Sequence, residues 1–172
     1  MRLFIAVPLP RDMLKAIWHV QENFRAGCAS GEFVPEGNHH ITLRFLGESE
    51  SLLDIAAAMR EAVRDARPFT LRLGGHGSFP RGETETAYLS IAGDLRELSR
   101  LRATLESALW EAGFVRGGGR FTPHITLGRR VMRNALNSEI SPMAFRVNRI
   151  VLFESRRTNG RMVYTPIHTE TF

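Results

Sequence analysis

The chain has 172 residues, 43% of them hydrophobic and 24% charged, which supplies the material for a core and leaves no polar tract long enough to read as disordered. Its formal charge is +5 and all but one of its 23 basic residues are arginine, Lys15 being the exception. That balance favours a polyanionic partner, since guanidinium grips phosphate bidentately, although many such arginines serve only to solvate a surface. The lone Cys28 excludes an internal disulfide and a cysteine zinc site, and it fits the reducing cytoplasm.

The opening "MRLFIAVPLP" is too short to span a membrane and lacks the small-residue cleavage site of a secretory leader, so it predicts a first strand over Leu3 to Val7. A helix follows with Leu14, Ile17 and Phe24 on its apolar face and Gly27 as its stop. "NHHITLRFLG" then reads as a strand. Strict alternation puts His40 and Thr42 on one face and Ile41, Leu43 and Phe45 on the other, which assigns Phe45 to packing and turns His39 away from His40.

"SLLDIAAAMREAVRDA" predicts a second helix with a capping box at Ser51 and Asp54, an apolar face of Leu52, Ala56, Met59 and Val63, and an end at Pro68. A strand over Phe69 to Leu73 leads into "GGHGSFPRGETE", whose glycines suggest a loop. After a strand at Ala87 to Ile91 comes a third helix, with Asp94 and Glu97 as a capping box, Leu98, Leu101, Leu105 and Leu109 as its face, and Gly113 past its end. "VRGGGRFTP" is a second glycine-rich loop, lacking the Gly-Lys-Ser/Thr ending of a phosphate-binding P-loop. "PHITLGR" is a strand with His124 and Thr126 opposite Ile125 and Leu127. Beyond it lie a short stretch near Leu136 and strands at Phe145 to Phe153 and Met162 to Thr169, the latter two a hairpin about Asn159-Gly160.

Sliding the chain against itself by 84 positions aligns more than the HITL tetrapeptide. Leu3 to Val7 falls on Ala87 to Ile91, Leu14 on Leu98, Ile17 on Leu101 and His40 on His124. Each half therefore reads strand, helix, strand, and with no linker between them the halves share one core. If a pseudo-twofold axis relates them, the two His/Thr faces meet across a groove. A pair of imidazoles can hold one neutral member as general base and one protonated member as general acid, which is what cleavage of a phosphodiester requires. Threonine hydroxyls and an arginine can hold the non-bridging oxygens as their charge grows. A single histidine on a strand is more often structural than catalytic; two in equivalent places of a repeat, each followed by Thr, reverse that expectation. His19, His76 and His168 have no such pattern, and Phe121 is equally suited to packing or to stacking on a base. A metal site from His39, His40 and His124 is weak, because no carboxylate or cysteine completes it.

The stretches "RLFIAVPLP", "VPEGNHHITLRFLGE", "GSFP" and "FTPHITLGR" resemble the two-histidine (2H) phosphoesterase superfamily, and within it the RNA 2′,3′-cyclic phosphodiesterases, also called bacterial 2′-5′ RNA ligases. The likeness runs from Arg2 to about Tyr164. It implies an α+β, bilobal fold over residues 1–172, one domain of two intertwined lobes whose antiparallel sheets line a central cleft. It further implies hydrolysis of a terminal RNA 2′,3′-cyclic phosphate to a 2′-phosphomonoester with no cofactor or metal, reversible as 2′-5′ joining. His40 would be the proton donor and His124 the acceptor, roles that the residues alone leave interchangeable, with Thr42 and Thr126 on the phosphate. Arg129 matches the arginine that closes the second motif, whereas strict alternation puts Arg130 on the His124 face; Arg129 is favoured and Arg130 held in reserve. The family's tryptophan after the GSFP-like loop is absent, and Tyr88 stands nearby. The expected partner is a single-stranded or tRNA-like RNA end, with no membrane and a monomeric, cytoplasmic protein. The alternatives are a phosphodiesterase of small cyclic nucleotides and a non-catalytic RNA-binding module.

Overall fold

In the computed structural model residues 1–133 and 139–172 are described, and the short stretch expected near Leu136 lies outside them. The apolar run that opens the chain becomes β1 (Arg2–Pro8), buried without a break from Leu3 to Val7. That continuous burial marks a strand covered on both faces. α1 (Arg11–Ala26) turns Met13, Ile17, Gln21 and Phe24 inward, and Gly27 closes it by donating its N–H to the Phe24 carbonyl. β2 (Cys28–Phe33) was not anticipated: it is short, polar and mostly exposed, so it carries none of the apolar alternation that announces a strand.

β3 (His40–Glu48) is followed by α2 (Leu52–Val63), which buries Ile55, Ala58, Met59, Ala62 and Val63, a face rotated from the expected Leu52 and Ala56 stripe. The helix stops at Val63, short of Pro68. Neither predicted capping box forms. Ser51 makes no cap bond, and the Asp94 carboxylate accepts instead from the Thr70 backbone N–H at 2.8 Å, tying the start of α3 (Leu95–Glu111) to a neighbouring strand.

The glycine-rich "GGHGSFPRGETE" is a hairpin and not a loop. β4 (Phe69–Arg81) runs through it to a turn at Gly82, where φ is +64°, and returns as β5 (Thr84–Gly93). Its glycines answer a steric demand across the strands, since a Cβ at Gly77 would strike the Tyr88 ring and one at Gly74 the Ser90 hydroxyl. The expected strand Phe145 to Phe153 is likewise two strands. β7 (Ala144–Val147) pairs with β4 and β8 (Arg149–Thr158) with β1, so Asn148 alone carries the chain from one sheet to the other. β9 (Arg161–Thr171) completes the predicted hairpin, with Asn159 and Gly160 at φ of 49° and 78° as a type I′ turn requires.

With β6 (His124–Arg133), the strands form an α+β fold of two antiparallel sheets, ordered β3-β1-β8-β9 and β2-β6-β5-β4-β7. One apolar cluster joins both sheets and all three helices. Among the described residues no helix is long and apolar enough to cross a membrane.

Candidate active site

His40 opens β3 and His124 opens β6, and these two strands, one from each sheet, approach each other. The side-chain alternation is interrupted at the same place in both. Along β1 the partners run from Ala6↔Thr42 to Ile5↔Arg44 and pass over Leu43; along β5 they run from Tyr88↔Thr126 to Ala87↔Gly128 and pass over Leu127. A bulge of one extra residue inverts the parity of everything after it. Phe45 therefore leaves the packing role that alternation assigned to it, and stands 64% exposed on the wall that Thr42 and His124 share. Arg129, at the equivalent place in β6, moves out of the core in the same way. The strand continues past Arg129 to Arg133 through a second irregularity, with Arg130 at φ of 50°. Arg130 points elsewhere and pairs with Glu32 at 2.5 Å.

Each histidine is held by the carbonyl two residues before it. His40 Nδ1–H donates to Asn38 O at 2.8 Å and His124 Nδ1–H to Thr122 O at 2.7 Å. A carbonyl can only accept, so the proton sits on Nδ1 and each neutral ring keeps its lone pair on Nε2. The Thr42 hydroxyl lies 2.9 Å from His40 Nε2 and donates to it in that state. Thr126 is half-buried beside Tyr88 on β5.

Aromatic rings enclose both imidazoles. Phe4 lies 4.8 Å from His40 and Tyr164 meets it edge-on at 5.4 Å; Phe79 meets His124 edge-on at 5.1 Å, with Tyr88 at 5.2 Å. Burial pushes His40 down to about 4, opposed by the Asn38 carbonyl and reinforced by Arg129 and His124. Burial also lowers His124, opposed by the Thr122 carbonyl and reinforced by Arg129. Both are thus neutral bases in the free protein at neutral pH, and one guanidinium acts on both of them. A bound phosphate anion would raise both again.

A cavity of about 320 Å³ is lined by Thr42, Phe45, Phe79, Arg120, Phe121 and His124. The glycine-rich loop after α3 forms one wall and is fixed by Glu106. That carboxylate takes Arg44 and Arg102, each at 3.4 Å, and accepts the Gly117 N–H at 3.1 Å. Arg44 also holds the Val115 carbonyl, and a side chain at Gly117 would strike its guanidinium. Arg102 donates to the carbonyl of the bulged Leu43 at 3.2 Å and covers the Phe121 ring at 4.7 Å. The same network therefore supports the bulge and the loop.

His39, just before β3, is buried and turned to α1, donating Nε2–H to Gln21 Oε1 at 2.8 Å, so it is no ligand beside His40 and His124. Among the described residues no group of three or more His, Cys, Asp or Glu side chains forms a metal site. His19 is exposed, His76 stacks on Phe24 and His168 bonds Glu170. Sequence reasoning missed Phe79, which lay in a supposed loop, and Tyr164, which arrives from the last hairpin. It also missed the Arg44, Arg102 and Glu106 network. Only Phe79 carried a signal, in the alternating "SFP" that leads to the turn.

Residues 17–159 match the 2′-5′ RNA ligase superfamily. The chain is 39% identical over 137 residues to a protein of Thermus thermophilus named RNA 2′,3′-cyclic phosphodiesterase, covering 76% of this chain and 69% of that one. It is 31% identical over 172 residues to the protein of that name from Escherichia coli, covering 96% and 93%. Among solved structures, E. coli LigT complexed with 3′-AMP superposes with a TM-score of 0.79 at 30% identity, covering 99% of this chain and 97% of that one. With the paired His/Thr strands in place and most of the chain matched, this protein belongs to the 2′-5′ RNA ligase superfamily of two-histidine phosphoesterases.

Proposed function

We propose that the protein hydrolyses a 2′,3′-cyclic phosphate at the 3′ end of RNA to a 2′-phosphomonoester, by acid–base catalysis between His40 and His124 and without a metal ion. The observation that carries this reading is the matched pair of imidazoles, each pinned through Nδ1 to a carbonyl so that Nε2 is the working nitrogen, both under the influence of Arg129. The names of the relatives in T. thermophilus and E. coli agree with it.

In this reaction His124 Nε2 takes a proton from water while the water oxygen attacks phosphorus. The bond from phosphorus to O3′ breaks, and His40, protonated on Nε2, gives its proton to O3′. Thr42 and Thr126 donate to the non-bridging oxygens and Arg129 balances their charge. Return of one proton to His40 and loss of one from His124 resets the site. With the 5′-hydroxyl of a second RNA in place of water as the attacking group, the same transfers, again breaking the bond to O3′, join the ends through a 2′-5′ bond; reversal of that step cleaves the bond and restores the cyclic phosphate.

Residues 1–172 act here as one unit of two intertwined lobes: β8 and β9 complete the sheet of the first half, and β2 extends the sheet of the second. The two halves already make both walls of the cleft, so a monomer suffices, and the single cysteine suits the cytoplasm.

The test is turnover of a short RNA ending in 2′,3′-cyclic phosphate with EDTA present, separating 2′- from 3′-monophosphate. A 2′-phosphate product is expected. Loss of activity in EDTA, or a 3′-phosphate product, would overturn the mechanism. RNA binding without turnover would make the chain a binding module, and equal efficiency on mononucleotides would move the substrate to small cyclic phosphates.

A further inference from the structure

Beyond the histidines the cleft opens into a trough of which the proposed hydrolysis of the terminal phosphate uses Arg129 alone among the arginines. Its two parts, about 870 and 650 Å³, share Arg129, Arg157 and Tyr164 among their walls; Arg2 lines the first and Arg161 the second. The trough begins at the reacting groups. Phe45 belongs both to its first part and to the cavity that holds His124, and Tyr164 rests against His40.

The charges of the two spaces differ in kind. In the smaller cavity Arg44 and Arg102 are already engaged by Glu106, which leaves Arg120 as its one guanidinium outside an ion pair among the described residues, beside Phe45, Phe79 and Phe121. In the trough Arg2, Arg129, Arg157 and Arg161 make no ion pair among the described residues. Its acids are mostly spoken for: Glu32 is held by Arg130 at 2.5 Å and Glu48 by the N-terminal amine at 3.4 Å, leaving Glu36 as the unpaired one. Four uncompensated guanidinium groups along one concave wall form a site for a linear polyanion, because each phosphate that enters relieves their mutual repulsion and releases a counterion.

The geometry points to this trough as the binding site for the phosphodiester backbone of single-stranded RNA immediately 5′ of the cyclic phosphate. The inference rests on the proposed reading of the active site and adds to it a preference for an RNA end over a mononucleotide. Arg157 and Arg161 flank the Asn159-Gly160 turn and are exposed, so replacing them removes charge without opening the core.

The experiment compares the wild type with an Arg157→Ala/Arg161→Ala double variant on two substrates, a short RNA ending in 2′,3′-cyclic phosphate and a mononucleoside 2′,3′-cyclic phosphate. The ratio of kcat/KM for the RNA to that for the mononucleotide is expected to fall by about tenfold, mostly through KM. The log–log salt dependence for the RNA becomes shallower by about 1.4, the value for two lost phosphate contacts on a single strand. An unchanged ratio, or equal losses on both substrates, would overturn the assignment. If the wild type cleaves neither substrate, the proposed reaction fails by itself, and the trough is still decided by fluorescence anisotropy of the same RNA with a 3′-hydroxyl end. Weaker binding with a shallower salt slope in the double variant would sustain it, and unchanged binding would end it.

Discussion

β3 and β6 begin with the same four residues, hold their histidines through the same backbone contact and carry a bulge at equivalent leucines, yet three residues beyond each threonine one strand presents Phe45 and the other Arg129. Their surroundings diverge as well. His40 sits among Phe4, Phe153 and Tyr164 with Thr42 on its Nε2, whereas His124 has Phe79 and Tyr88 for neighbours and lines an open cavity. The repeated backbone sets two imidazoles in equivalent positions. The unrepeated side chains make those positions unequal, as a reaction needing one acid and one base demands.

Removing either histidine tests what the strands share. His40→Ala and His124→Ala should each lower kcat by about a thousandfold while circular dichroism stays that of the wild type. A single variant that retains wild-type turnover would show that the pair does not act together.

Exchanging what differs comes next. Arg129→Ala should cost about a hundredfold in kcat, the scale for one lost group at the phosphate, while Arg130→Ala stays within about twofold. The reverse ranking would mean that the bulge at Leu127 does not decide which arginine works. Phe45→Ala should raise KM by about tenfold with little change in kcat, on the scale of one lost base–aromatic stack. A loss confined to kcat would place Phe45 among the positioning residues of His40.

The pH profile sharpens the inequality. For kcat/KM the acid limb reports protonation of the base and the alkaline limb deprotonation of the acid, both in the free enzyme. With His40 lowered to about 4 and His124 also below its ordinary value, the optimum should lie below pH 6.5, and the kcat profile should sit at higher pH once phosphate is bound. An optimum of kcat/KM above pH 7 would contradict the burial of the pair.

Outside the reaction itself stands His39, which burial, aided by His40, lowers to about 4. The unfolded chain takes up a proton at about pH 6.5 that the folded chain refuses until about pH 4. Stability is therefore complete above 6.5 and falls as pH drops through that window, by about 1.4 kcal/mol per unit for this group. Thermal melts at a series of pH values should show the slope, and His39→Gln should remove this group's share of it while that of His40, lowered over the same window, remains.

Sequence alone determined the three helices, the histidine strands and the Asn159-Gly160 turn, because amphipathic spacing, the HITL alternation and a turn dipeptide are local signals. It also determined that His40 and His124 belong together, since an internal repeat is visible without coordinates. Tertiary structure decided the rest. Glycines at 74 and 77 read as a loop because their reason, the close approach of Ser90 and Tyr88, lies on another strand. The break at Asn148 was silent because both flanks are equally apolar and only sheet membership separates them. Strict alternation misplaced Phe45 and favoured Arg130 over Arg129, because a bulge is made by two strands and written in neither of them alone.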